Sequence, residues 1–282
     1  MDTGKAEWLW QCTIPDNTEL QEHTLKTNRC IIIGERCTID YGLKGDEILV
    51  SEFCKINGNI NCDGDFRLDN WSEVSGDIYV NGDAFLGEGV KVSGKLVVEG
   101  DLDLGDNVQI EQGFEARGWI SIRNPMPVIT YILLYLITLL GLEKEEDISD
   151  FFRSLVEEDD ESEKSIPLVV PPQSVLDMEI FSSPGKMTVG RGCRLHGNIR
   201  AKTITVHEGC TIFGSLSAEQ AITIMESNVI HGAVTSQAGD VEVRKESHVL
   251  GDLSCKNLII DERSHIDGMI IAPGGVKIQR DT

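Results

Sequence analysis

Basic residues are scarce in this chain. Only 25 Lys and Arg stand against 47 Asp and Glu in 282 residues, a formal charge of −22. No cluster of Lys and Arg breaks the acidity, which argues against a nucleic-acid surface and against simple electrostatic docking on anionic lipid. Aromatic residues make up just 6% while glycines number 28, a balance that suits many short strands with tight corners better than a helical bundle. The eight cysteines form no CxxC pair, so zinc-ribbon and thioredoxin signatures are missing. The opening residues, MDTGKAEWLWQC, contain no apolar core of signal-peptide length. These absences together predict a reduced, cytoplasmic protein.

What is present is a repeat. From Val50 onward every sixth residue is apolar: Val50, Ile56, Cys62, Leu68, Val74, Val80, Leu86, Val92, Val98, Leu104, Ile110 and Ala116. The residue two positions earlier is mostly apolar as well, as in Ile48, Cys54, Ile60 and Phe66. Glycine returns every eighteen residues at Gly64, Gly82, Gly100 and Gly118, with a second column at Gly58, Gly76 and Gly94. Two inward residues separated by one outward residue are the period-two mark of a short strand. Three such faces make a coil of about eighteen residues, and coils stack ~4.8 Å apart as parallel strands. A looser version runs from Met187 to Ile278, with a glycine after the second face of each coil (Gly197, Gly214, Gly232, Gly251, Gly268). The expected fold is therefore all-β, a parallel β-helix in two copies with a helical insert between them. Its predicted divisions are an N-terminal cap over 1–29, a first β-helix over 30–122, an insert over 123–185 and a second β-helix over 186–282.

A six-residue rhythm also suits the left-handed β-helix of hexapeptide acyltransferases and γ-class carbonic anhydrases. There a small residue stands two positions before each large aliphatic one. Here that column often holds Ile, Leu, Phe or Val, and overpacking costs about 1–3 kcal/mol per site. The stretches GDIYVNGDAFLGEGVKVSGKLVVEGDLDLGDNV, LHGNIRAKTITVHEGCTIFGSLSA and SHVLGDLSCKNLIIDERSHIDGMIIAPGGVKI instead resemble the bactofilins, polymer-forming cytoskeletal proteins. The likeness covers roughly residues 30–122 and 186–278 and rests on repeat pattern alone. It implies a right-handed helix, end-to-end polymerisation without nucleotide, and a place at the inner membrane face. The two blocks and the insert depart from the single-domain form of that family.

Candidate functional residues are few. No histidine falls between residues 30 and 122. In the second block His196 and His231 share an outward column two coils apart, too far to share an ion. His248 and His265 stack on adjacent coils, near enough to bind one with a third ligand, although a surface ladder is the plainer reading. No catalytic, cofactor or metal site is therefore assigned, and the acyltransferase or carbonic-anhydrase class stands as the rival. Cys37/Cys54 and Cys193/Cys210 occupy equivalent inward positions and read as small core hydrophobes, while an inward Asn228 calls for an amide–backbone bond. Trp8, Leu9 and Trp10, and Val276 and Ile278 on the last strand, are the candidates for capping or self-assembly.

The run PVITYILLYLITLLGL (127–142) rises about 24 Å as a helix, short of the roughly 30 Å hydrocarbon core. A crossing would also place two copies of one architecture on opposite sides of a membrane. Packing against protein ranks first, through Val128, Ile129, Tyr131, Ile132, Leu133, Leu136, Ile137 and Leu140. Shallow membrane attachment ranks second and a full span last. An acidic helical segment and an extended SIPLVVPPQS follow. The expected partner is another copy of the chain, with a membrane surface second, and a membrane-associated adaptor that does not polymerise is a further alternative.

Overall fold

A computed structural model describes residues 11–21, 23–123, 125–131, 166–177 and 179–280. Their backbone forms 38 short strands wound into a solenoid with three faces. Face A is a 14-stranded sheet, and faces B and C have 12 strands each. Pairing is parallel nearly throughout. On face A, Ile48–Val50 pairs with Phe66–Leu68, which pairs with Ala84–Leu86, Leu102–Leu104 and Ile120–Ile122 in turn. Each step is eighteen residues, as the sequence rhythm requires. The second block steps from Ile204 to Ile222, Val241, Leu258 and Val276. Its one-residue drift is absorbed at corners, where it leaves the inward phase intact.

The core is the alternation made solid. Ile48, Val50, Ile56, Ile60, Phe66, Leu86, Leu96, Ile204, Ile212 and Leu258 are all fully buried in a single cluster that runs through the stack. Most residues between them point outward, to solvent or to ion pairs such as Lys55–Glu73 and Lys91–Glu73, but Ile32, Leu49 and Val169 on face A are fully buried.

The two blocks are not separate bodies. They meet end to end in one continuous stack of about twelve turns, joined by two seam coils. On face A, Leu168–Val170 lies parallel to Ile31–Ile33 of the first arm, and Cys12–Ile14 lies parallel to Lys186–Val189 of the second. These two seam strands face each other antiparallel, with Thr13 opposite Val169. On face B, Glu19–Gln21 turns back onto Thr24–Lys26. On face C, Val175–Leu176 turns back onto Ile180–Ser182. The strands thus extend beyond the repeat blocks into 12–26 and 168–182, stretches that the sequence pattern placed in a cap and an insert.

A single offset relates the halves. Adding 156 to a residue number carries Cys12 to Leu168, Pro15 to Pro171, Leu20 to Leu176, Leu25 to Phe181, Ile31 to Met187, Gly34 to Gly190 and Cys37 to Cys193. Thr13 and Val169, paired across the seam, are themselves offset partners, so a pseudo-twofold axis passes between them. The lead-in to each arm also crosses over. Cys12–Ile14 and Glu19–Gln21 pack on the second arm, while Leu168–Val170 and Val175–Leu176 pack on the first. Each arm is held by the other's leader.

Among the described residues no helix is long and apolar enough to cross a membrane. Of the insert, a helical turn over 128–131 is described. The chain leaves the last first-arm coil at Arg123, whose guanidinium chelates the buried Asp103 carboxylate. It then folds back along face A. The Val128 amide donates to Asp69 Oδ2 at 2.9 Å and its side chain is buried. The Arg67 guanidinium lies between the Phe85 and Tyr131 rings, 3.6 and 3.8 Å from their centroids. Ile129 is exposed. Ile132, Leu133, Leu136, Ile137, Leu140 and the acidic segment lie outside the described residues.

Candidate functional site: the ends and corners of the stack

In most coils a corner of one kind recurs where face A turns away. One residue there takes a left-handed conformation, and the next points inward. The left-handed position holds Arg36, Phe53, Trp71, Gly89 and Asn107 in the first arm, and Gly192, Gly209, Ser227 and Glu246 in the second. Asn17 and Gln173 serve the seam coils. The residue that follows is Cys37, Cys54, Ser72, Val90 and Val108 in the first arm, Cys193, Cys210, Asn228 and Ser247 in the second, and Thr18 and Ser174 at the seam.

Cys37, Cys54, Cys193 and Cys210 lie in the core cluster, as their reading as small hydrophobes requires, and the polar members of the column share a further task. The Cys37 thiol donates to the Pro171 carbonyl, Cys54 to Gly34, Cys193 to Pro15 and Cys210 to Gly190, at 2.9–3.1 Å. Ser72 and Ser247 donate likewise to Ser51 and Met225. Several also accept from the coil before. Asn228 Oδ1 takes the Cys210 amide at 2.7 Å, the bond an inward amide called for, and Ser72 Oγ takes the Cys54 amide at 3.1 Å. A buried backbone group left unpaired costs about 1–3 kcal/mol, so the column closes the corner's hydrogen bonds. Burial pushes the Cys12 thiol up, and Cys62 is pushed up to about 12 for the same reason. All eight cysteines are buried, so none sits in the exposed electropositive setting that a reactive thiol needs.

A second ladder runs on the outer corners. Asp65 Oδ1 accepts the Asp83 amide, Asp83 Oδ1 that of Asp101, and Asp101 Oδ1 that of Trp119, all at 2.7–2.9 Å. Asn59 and Asp77 do the same for Asp77 and Lys95. These carboxylates are therefore structural, because each caps the coil that follows. At Trp119 the column loses its carboxylate, and the stack ends there.

The ends differ from the flanks. In the last first-arm coil Phe114, Ile120 and Ile122 occupy inward columns, continuing Leu96, Leu102 and Leu104. Among the described residues no coil lies above them, and they are exposed, Ile122 to 79%, beside Trp119 at 82%. At the other end Ile270, Val276 and Ile278 continue Leu253, Leu258 and Ile260 and are likewise exposed, Val276 to 50% and Ile278 to 60%. The structure thus places Val276 and Ile278 on the last strand of face A, at a free edge. It adds Trp119, Ile120 and Ile122, which were not among the sequence candidates. Trp8, Leu9 and Trp10 lie outside the described residues, and the strand that follows them, Cys12–Ile14, sits at the centre of the stack. Both ends are the C-terminal edge of an arm, since the N-terminal edges are consumed in the seam.

The second arm carries the outward histidines on face B. His196, Phe213 and His231 stack in one column with centroids 4.4 and 4.5 Å apart. His248 and His265 stand opposite each other on neighbouring strands. Comparison with family models, with curated proteins and with solved structures finds no match.

Proposed function

We propose that this chain is a non-enzymatic, bactofilin-like cytoskeletal scaffold that assembles end to end through its exposed β-helix edges. The observation that carries the reading is the pair of open ends. Each presents unpaired strand edges together with inward-column Ile and Val that a further coil would cover. Such an edge is a template for another chain. The seam inside the chain provides the pattern for a joint, because it already pairs two coil edges antiparallel with apolar side chains beneath. Contacts between ends that do not close on themselves extend into filaments, while the acidic flanks limit sideways association. The proposed setting is the cytoplasm. The run 128–142 is the one segment suited to the inner membrane face, although its first turn packs on Arg67 and Phe85.

Negative-stain microscopy and sedimentation of the purified chain test this. Filaments are expected with or without nucleotide and across salt concentrations. Ile122→Asp and Ile278→Asp, each placing a charge in a column that must be dry at a joint, should give single rods or pairs. Wild-type protein that stays as single rods at tens of micromolar would refute the reading, and discrete trimers would favour the acyltransferase class. Cosedimentation with anionic liposomes, comparing the wild type with a deletion of 128–142, tests the membrane contact separately.

A further inference from the structure

We propose that His248, His265 and Asp267 form a binding site for a first-row divalent transition ion such as Zn²⁺, Ni²⁺ or Co²⁺. The three donors converge because of the coil register. His248 and His265 are directly opposed on adjacent parallel strands, and Asp267 follows two residues on, just past the end of the strand that carries His265. The next outward column, through His231 and Leu250, ends at Asp267, so its carboxylate stands diagonally within reach of His248. His248 Nε2 lies 3.0 Å from Asp267 Oδ2, and His265 Nε2 lies 3.1 Å from Asp267 Oδ1. One donor atom from each of the three side chains lies within 4.8 Å of the others.

Those separations suit a metal polyhedron. Bonds of about 2.0–2.1 Å at a tetrahedral angle put neighbouring ligand atoms roughly 3.3 Å apart, so closure onto an ion needs only small side-chain rotations. The backbone beneath is fixed by the ladder, with the Asp267 amide donating to the Val249 carbonyl at 2.9 Å. Two imidazoles and one carboxylate suit zinc, nickel or cobalt. Calcium and magnesium prefer more oxygen ligands. The other histidine column lacks this convergence, because the Phe213 ring separates His196 from His231. An ion held here would staple the last turns of the second arm, because His265 lies on the final strand of face B. The inference is independent of the scaffold reading.

Titration of the full-length, reduced protein with Co²⁺ and Ni²⁺ by calorimetry, with imidazole NMR signals followed in parallel, tests the site. One ion per chain is expected, perturbing two histidines out of the six in the sequence. His248→Gln, His265→Gln and Asp267→Asn should each weaken binding at least ten-fold, while the paired control His196→Gln/His231→Gln should leave it unchanged. Circular dichroism of the exposed-site variants checks that the solenoid persists. Equal binding by ligand and control variants, or no saturable binding at all, would overturn the proposal.

Discussion

Substituting Gly82 by Ala tests whether the coils stack as closely as the structure requires. Gly82 has no left-handed conformation to protect, so the effect is one of space. A β-carbon there would lie 2.5 Å from Asp65 Oδ1 and 2.7 Å from the carbonyl carbon and oxygen of Gly64. Relief to ordinary contact needs the corner to open by roughly 0.7–0.9 Å, judged against normal packing. Two bonds cross this corner: the Gly82 amide to Gly64 O at 3.0 Å and the Asp83 amide to Asp65 Oδ1 at 2.9 Å. Opening would carry both past about 3.5 Å, beyond useful range. Their loss costs about 0.5–1.5 kcal/mol for the neutral bond and about 1.5–3 for the one to a carboxylate. The lower entropy of the unfolded alanine chain returns about 0.4–1. The net is roughly 2–3 kcal/mol of destabilisation, or about 4–12 °C in Tm for a chain of this size. Gly118→Ala, in the last coil of the same column, should cost less because a terminal coil can fray without disturbing its neighbours. Thermal unfolding of both, with the exposed Ser93→Ala as control, is the assay. A Gly82→Ala protein as stable as Ser93→Ala would refute the stacking argument.

Three further outcomes follow from the corners and the insert. Gly209→Ala should lose about 1 kcal/mol through backbone conformation alone, because its φ is +71° and a β-carbon there meets nothing nearer than 4.0 Å; the converse Ser227→Gly, at φ 57°, should gain up to about 1 kcal/mol in urea unfolding. The buried thiols make stability sensitive to alkali: with Cys62 raised to about 12 from 9.0, the unfolded chain loses its proton first. Stability should hold below about pH 8.5 and fall as pH climbs toward 12, by about 1.4 kcal/mol per pH unit for this thiol. Urea midpoints between pH 7 and 10.5 would show it, and Cys62→Ala should flatten the slope. Finally, Arg67→Ala removes the guanidinium between Phe85 and Tyr131, and limited proteolysis should then cut near residues 125–131 faster than in the wild type while sparing the stack.

The arms were legible because burial repeats. A residue such as Leu86 or Ile212 must be apolar once per face, and that requirement survives in a single sequence as a column. The seam was not legible because its strands are three residues or fewer, carry Pro15, Pro171 and Pro172 beside them, and pair antiparallel with a segment far away in the chain. Its signal was nonetheless present: TIPDNTEL and VVPPQSVL are offset copies with a left-handed Asn17 or Gln173 at the same place. The cysteine column was read by its inward position, and its chemistry was missed. The cue lay in the polar company it kept, since Cys, Ser and Asn share a short polar group, although Val90 and Val108 stand in the same column. The glycine columns were visible as rhythm, but that they allow close approach of one backbone to another is visible only in the fold. For the histidines, sequence gave the stacked pair and left the third ligand unnamed, because Asp267 reaches His248 only through the stagger between two columns.

The reversal at the seam decides what the molecule has left to offer. An arm alone would present one N-terminal and one C-terminal edge, and two kinds of joint would compete in solution. Here the N-terminal edges meet within one polypeptide, each clasped by the other arm's leader, so that joint forms at the high effective concentration of a tethered pair and does not depend on how much protein is present. Only C-terminal edges remain. They are alike in construction yet different in side chains, with Trp119 and Ile122 at one end and Met269 and Ile278 at the other. In the scaffold proposed above, a joint between copies would bring two C-terminal edges together, antiparallel as in the seam, and would draw its strength from those few exposed residues. The offset correspondence of the halves thus fixes the architecture of the chain and leaves a small surface at each tip, which on the scaffold reading would set how readily copies join.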